Sequence, residues 1–408
     1  MKKIKPKKIA RKKQKRAVIK KGLCHEILYK NMDWAAETAA YFGFNPLHFP
    51  EIIKDDKDKA LAVAKEDREK ITGNLPILNL TERISIIRDY IEQKKDKEPQ
   101  PILASYSPIN TDLKTFKFGL EIIGSEKSIA DATVIKTIYE ILREKESGQM
   151  VVVINSMGDR ESFSRFVREF IGYVKKNLDD LNPICRQDFK KNPLCILSCG
   201  HEKCMKVFEK GPKPMNALSE PSRVHFKEVL EYIEILDIPY RIENSLVTDR
   251  SFGCQTIFKI VLEDGDNCKT LAAGTRYNIL ARKIGFKKEL PAIGARIEIK
   301  DFHGKAPCSK KIEKPLVCFV QIGFEAKLKS LQIIEMLREA KIPTYQSLSR
   351  DKLSSQLQIA ENMKIPYTMI MGQKEAMENS VIVRCMANRS QETVFLNELP
   401  KYLKKILK

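Results

Sequence analysis

Leu316-Val-Cys-Phe-Val-Gln-Ile322 is an almost wholly apolar run of strand length, followed by apolar spacing of helical period over Ala326–Ala340. The same alternation continues to the end of the chain. Pro343–Ser347 reads as a short strand, Lys352–Met363 as a helix, Tyr367–Met371 and Ser380–Arg384 as strands, and Leu399–Leu407 as a helix. Helices alternating with strands in this way predict a small, separate α/β domain with a central, mostly parallel sheet.

Upstream of Lys314-Pro315 the pattern changes. Phe116–Ile123, Met150–Ile154, Thr256–Leu262 and Ala292–Ile299 read as strands, with a Gly-rich turn at Ala272-Ala-Gly-Thr275. Met32–Tyr41, residues 83–93, Ile129–Lys145, Ser162–Asn177 and Val224–Leu236 have helical spacing, with Thr81-Glu82 as a start signal for the second of these. Leu194-Cys-Ile-Leu197 reads as a buried strand. The mixture implies an α+β core without regular βαβ alternation.

The chain has 408 residues, more than one ordinary core, and its 43% hydrophobic content suits packed domains and not a disordered polymer. No run is apolar and long enough to span a bilayer, and no signal-peptide pattern is present, so a cytoplasmic protein with no membrane partner is expected. The net charge of +20 is uneven: residues 1–21 hold twelve cations and no acid, which leaves +8 for the remaining 387 residues. Among those cations are Lys2, Lys3, Lys7, Lys8, Arg11, Lys12, Lys13 and Arg16. A basic arm of this kind gains affinity for a polyanion by releasing condensed counterions, so these residues are the expected RNA contacts; a solubilising tail is the plainer reading.

Ten cysteines in such a protein are expected as reduced thiols. Cys195, Cys199, His201 and Cys204 put four zinc-competent side chains within ten residues. Their spacing is unlike common zinc knuckles, and Cys195 sits in an apolar run, so ordinary thiols and no metal are expected there.

Ordered motifs resemble the histidine–tRNA ligase family. Asn192-Pro-Leu-Cys-Ile-Leu197 is similar to the family's NPLRILD, and Phe226-Lys-Glu-Val-Leu-Glu-Tyr-Ile233 and Leu236-Asp-Ile-Pro-Tyr240 follow at the family distance. Gly119-Leu-Glu-Ile-Ile-Gly124, Ala130-Asp-Ala-Thr-Val-Ile135 and Ile154-Asn-Ser-Met-Gly-Asp159 precede them in family order. Leu337-Arg-Glu-Ala-Lys-Ile-Pro343, Gln356-Leu-Gln-Ile-Ala360 and Ile370-Met-Gly-Gln-Lys-Glu375 extend the likeness over about residues 32–408. The resemblance implies an α+β, class II synthetase-like antiparallel sheet with flanking helices and a C-terminal α/β anticodon-binding-type domain. It divides the chain into a basic arm at 1–24, a core at 25–314 with a helical insertion at about 160–230, and the last domain at 315–408.

The family's catalytic positions are mostly changed. Its substrate-gripping Glu in LRPEGT aligns with Thr81, and the ATP-covering stretch between Pro108 and Lys117 is about eight residues short, with Thr111 near the place of its arginine. Lys117 stands where a substrate-facing Gln is expected. LVRGLDYYT becomes Leu246-Val-Thr-Asp-Arg-Ser-Phe-Gly-Cys254, which puts Thr248 at the catalytic arginine and Ser251, Phe252 and Gly253 at Asp-Tyr-Tyr. Asp301 falls at the final arginine. Adenylation needs cationic donors held around an α-phosphate, and losing one commonly costs orders of magnitude in rate.

Glu121, Gly274, Arg276 and Tyr277 are retained. The resemblance makes Gly274, Arg276 and Tyr277 cofactor-side residues if ATP binds; the plainer reading makes them hold the fold. The first expectation is therefore a non-catalytic relative without a cofactor, binding tRNA or ribosomal RNA through its last domain and arm. An active, ATP-using ligase would rely on Arg250, Arg276, Glu121 and Lys117. A regulatory subunit of a metabolic enzyme, like the degenerate relative in ATP phosphoribosyltransferase, is a third reading, although that relative lacks the last domain. The synthetase core implies a homodimer, marked here by Tyr41-Phe-Gly-Phe44 and Phe49-Pro50.

Overall fold

The computed structural model describes residues 34–66, 79–97, 101–106, 115–247, 252–265, 267–300 and 315–407. The basic arm, Thr111, Thr248, Arg250, Ser251 and Asp301 lie outside the described residues.

Two sheets organise the chain. The first has eight strands: β1 (Asn45–Pro46), β2 (Ile102–Tyr106), β3 (Thr115–Ile123), β4 (Gln149–Ser156), β5 (Tyr240–Ile242), β6 (Cys254–Asp264), β7 (Asn267–Arg276) and β8 (Ala292–Lys300). Their spatial order is β1-β2-β3-β8-β7-β6-β4-β5. The five inner pairings are antiparallel, and the short edge strands β1 and β5 join in parallel. Ala272–Thr275, expected as a turn, lies inside β7. Gly274 explains the difference, because a Cβ there would come within 2.5 Å of the Phe258 ring and 2.8 Å of the Ala295 Cβ. This glycine serves close packing between strands and not a reversal of the chain.

The Ser128–Arg143 helix is buried nearly all round, its polar residues Asp131, Lys136 and Glu140 included. It packs on the sheet through β3 and β8, beside the Glu220–Ile235 helix and against the Phe324–Glu339 helix. A second helical layer closes the other side. Phe163, Phe166, Phe170 and Val174 of the Arg160–Lys176 helix pack with Val151 and Val153 of β4 and Ile257 and Val261 of β6. Leu194–Leu197 is no strand: Cys195–Ser198 forms a 3-10 turn between the Pro183–Lys191 and Glu202–Lys210 helices. Asn192 caps that reversal, its side chain accepting the Leu194 N–H at 3.2 Å, which bends an apolar run that would otherwise extend.

The second sheet has the order β10-β9-β11-β12-β13, formed by β9 (Val317–Gln321), β10 (Thr344–Gln346), β11 (Tyr367–Met371), β12 (Ser380–Cys385) and β13 (Gln391–Phe395). β10, β9 and β11 are parallel, whereas β12 and β13 run antiparallel. The expected parallel arrangement therefore holds for three strands and fails for two. Residues 372–379 between β11 and β12 are too few for a crossover, which needs roughly a dozen residues, so β12 must reverse. The two sheets are distinct, but their cores are continuous. Val317, Phe319, Leu331 and Ile334 belong to the same apolar cluster as Ile135, Ile138, Tyr232 and Ile233, and the rings of Tyr232 and Phe324 meet edge to face at 5.9 Å.

Candidate functional site

The face of the first sheet beneath the Leu80–Glu92 helix carries a cleft lined by Phe49, Glu82, Arg83, Tyr106, Gly119, Glu121 and Arg296. The helix is placed by its cap. Asn79 accepts the N–H groups of Thr81 and Glu82 at 3.0 and 3.4 Å, so the start lies two residues earlier than the Thr81 signal suggests. Ile84 and Ile87 on its inner side are buried, and Arg83 beside them is carried inward too.

On the sheet, residues opposite one another across a ladder share a face. Glu121 stands opposite Gly294, and Gly119 opposite Arg296. Each charged side chain thus lies over a glycine. A Cβ on Gly294 would fall 1.7 Å from the Glu121 Oε2, so the carboxylate occupies the space of the missing side chain. Tyr277 donates its hydroxyl to Glu121 Oε2, and the Arg83 guanidinium stacks 4.4 Å from the Tyr277 ring centroid. Arg83 Nη2 also donates to the Gly294 carbonyl at 3.0 Å. Burial pushes the Glu121 carboxyl above its ordinary value, partly offset by Arg83 and by the Tyr277 hydroxyl. Arg296 reaches from β8 to the Glu82 carboxylate.

Arg276 points elsewhere. It leaves the end of β7 into the interior, where Nε meets both Asp131 carboxylate oxygens at 3.0 and 2.8 Å. Nη1 donates to the Ser125 carbonyl and Nη2 to the Lys127 carbonyl, each at 2.9 Å. His225 Nε2 stands 3.3 Å from Asp131 on a further side. Burial alone would raise the Asp131 pKa, but Arg276 and then His225 hold it well below the ordinary carboxylate range.

The three residues marked as cofactor-side by sequence are therefore interior: Gly274 and Arg276 serve packing and a buried ion pair, and Tyr277 carries the Glu121 carboxylate. Lys117 is half-buried on β3, on the same face as Gly119 and Glu121 by strand alternation. Arg250 lies outside the described residues, so among the described catalytic candidates Glu121 and Lys117 share this face, and Glu121 lines the cleft. Arg83, Glu82, Arg296 and Asp131 were missed by sequence reasoning. A signal existed for two of them: Arg83 is flanked by core isoleucine spacing, and Asp131 lies between alanines in an apolar helix. A charge in such a place needs a buried partner.

The thiol cluster also differs from expectation. Cys199 and Cys204 come together with Cys185, not with Cys195, and His201 Nδ1 joins them.

Residues 316–406 match the family model described as anticodon binding domain. The histidine–tRNA ligase of Halothermothrix orenii is 30% identical over 339 residues, covering 79% of this chain and 80% of its own. The chain belongs to the histidine–tRNA ligase family. The histidine–tRNA ligase of Listeria innocua is 29% identical over 326 residues, covering 76% of each chain. Among solved structures, apo histidyl-tRNA synthetase of S. aureus aligns over 90% of this chain and 93% of its own, at 20% identity and a TM-score of 0.47. The family explains both sheets: the larger is the class II synthetase core, and the smaller is the anticodon-binding domain. Among the described residues no helix is long and apolar enough to cross a membrane.

Proposed function

We propose that this family member binds tRNA or a related RNA without catalysing aminoacylation. The observation that carries the reading is the commitment of the arginines around the central sheet. Arg83 bonds Gly294 and covers Tyr277, Arg296 pairs with Glu82, and Arg276 is enclosed by Asp131 and two carbonyls. A nucleoside triphosphate needs cationic donors that are free to follow developing charge on phosphate. That these arginines are already engaged within the protein supports a reading without ATP chemistry on this face. The substitutions Thr81, Thr248 and Asp301 at family catalytic positions point the same way.

RNA binding rests on different residues. The C-terminal Leu399–Ile406 helix buries Leu399 and Leu403 and presents Lys401, Lys404 and Lys405 to solvent. With the twelve cations of residues 1–21 these offer contacts to a phosphate backbone. A cytoplasmic homodimer, with tRNA or ribosomal RNA as partner, goes with this reading.

The competing reading, an active ligase, rests on the family itself and on Glu121 and Lys117 sharing one face. Histidine-dependent ATP–pyrophosphate exchange on purified protein separates the two. Background exchange together with salt-sensitive tRNA binding is expected; clear histidine-dependent turnover would overturn the proposal.

A further inference from the structure

Within the helical insertion, three cysteines from two helices and the turn between them converge. The Sγ atoms of Cys185, Cys199 and Cys204 lie within 4.8 Å of one another, and Cys185 and Cys199 are 3.2 Å apart. His201 Nδ1 stands 3.3 Å from Cys185 Sγ and 3.1 Å from Cys199 Sγ. We propose that Cys185, Cys199, His201 and Cys204 form a structural Zn²⁺ site.

The chemistry of the donors selects the ion. Three thiolates and one imidazole are a soft and borderline set that suits tetrahedral Zn²⁺, whereas calcium and magnesium take oxygen ligands. With Zn–S at about 2.3 Å and Zn–N at about 2.0 Å, neighbouring donors of a tetrahedron sit about 3.5–3.8 Å apart. The separations among Cys185, Cys199 and His201, 3.1–3.3 Å, are shorter than that, so closing around an ion means these donors spreading by about half an ångström and the His201 ring turning toward Cys204. The His201 backbone N–H also points at Cys199 Sγ at 3.4 Å, which helps to orient that sulfur. Four donors complete the tetrahedron, which marks a structural site and not a catalytic one.

The placement gives the ion its task. Cys185 lies on the Pro183–Lys191 helix, Cys199 closes the 3-10 turn, His201 precedes the next helix, and Cys204 lies within it. Each of those two helices has nine residues, too short to be stable alone. One ion would tie both helices and the turn at a single point. The reversal capped by Asn192 turns the Cys195 backbone into the 3-10 segment and lets the preceding helix supply Cys185 instead. That is why contiguous spacing alone selects the wrong fourth ligand.

The test uses the full chain, purified without chelator in a phosphine reductant. Elemental analysis should find one zinc per chain, and X-ray absorption should find three sulfur neighbours and one nitrogen. Cobalt-exchanged protein should show the ligand-field bands of a tetrahedral thiolate site. Cys195→Ser should keep stoichiometric zinc, whereas Cys185→Ser should lose most of it. The wild-type spectra decide the matter even where Cys185→Ser does not fold. Metal-free wild type with no tetrahedral cobalt spectrum would overturn the proposal, as would a Cys185–Cys199 disulfide in its place. Zinc lost in Cys195→Ser but kept in Cys185→Ser would overturn it too.

Discussion

Arg276 and Asp131 form an ion pair sealed inside the core, with both side chains excluded from solvent and the guanidinium gripping both carboxylate oxygens. The pair joins the end of β7 to the first turn of the Ser128–Arg143 helix. The Ser125 and Lys127 carbonyls absorb the remaining donors, so the approach to that helix is fixed as well. In this chain the arginine of the Gly274-Thr-Arg-Tyr277 motif is a structural tie between sheet and helix.

Cutting one side of that tie should be costly. Asp131→Asn leaves a buried guanidinium without its counter-charge, which typically costs about 3–5 kcal/mol. Arg276→Lys keeps the charge but loses the fork that serves the carboxylate and two carbonyls, so a similar loss is expected. Urea unfolding followed by circular dichroism measures both. Changes below about 1 kcal/mol would show that the pair is not a structural tie.

Glu121 and Gly294 should be energetically coupled. Gly294→Ala drives a methyl group into the Glu121 carboxylate, and overpacking of this kind costs about 1–3 kcal/mol or more. Glu121→Ala vacates that space while leaving the Tyr277 hydroxyl unpartnered. The double variant should therefore be more stable than the sum of the single losses predicts, by about 0.5–3 kcal/mol. Strict additivity in a double-mutant cycle would contradict the arrangement.

The same carboxylate gives stability a pH dependence of definite sign. Burial raises the Glu121 pKa above the ordinary value of 4.5. Protonated Glu121 is favoured in the folded state, so its contribution is complete below 4.5 and is lost as pH rises through the raised folded value. Glu121→Gln keeps an oxygen to accept the Tyr277 hydroxyl and removes the ionisation. The melting temperature of Glu121→Gln minus that of wild type should grow as pH rises above 4.5 and then level off. A flat difference between acid and neutral pH would rule out the buried titration.

Much of this architecture is legible in sequence because the responsible signals are local. The Ser128–Arg143 helix and β3, β4 and β9 each carry apolar residues at the spacing of their own element, and short-range periodicity is enough to find them. The cleft is less legible because its contents are set by pairings between distant strands. That Glu121 would rest on Gly294, or Arg296 reach Glu82, follows from a register that no single segment encodes. Gly274 shows the same limit: as a glycine among small residues it reads as a turn, and only the Phe258 ring on the adjacent strand explains it. Cys185 escaped notice for a related reason, since its partners come to it through a reversal of the backbone.

The last prediction concerns the join between the two sheets. Arg338 on the Phe324–Glu339 helix bonds Glu335 on its own helix at 2.9 Å and crosses to Glu144 of the core at 2.8 Å. Glu144 in turn accepts the Thr38 hydroxyl at 3.0 Å, so three elements meet at one carboxylate. Hydrogen bonding to Glu335 holds the guanidinium firmly charged, although burial opposes this. Arg338→Ala removes charge-assisted bonds worth about 1.5–3 kcal/mol and leaves the buried Glu335 beside Glu140, with Arg143 at 3.3 Å still paired to it. Glu144→Gln should cost less, because Glu144 is more exposed and Arg338 keeps Glu335. The Arg338 bonds are largely shielded from solvent, so much of the Arg338→Ala loss should persist at high salt, unlike that of a surface pair. Denaturant midpoints at low and high ionic strength check this. A loss that vanishes in salt would mean that the apolar cluster shared by the two sheets holds the last domain without help from Arg338.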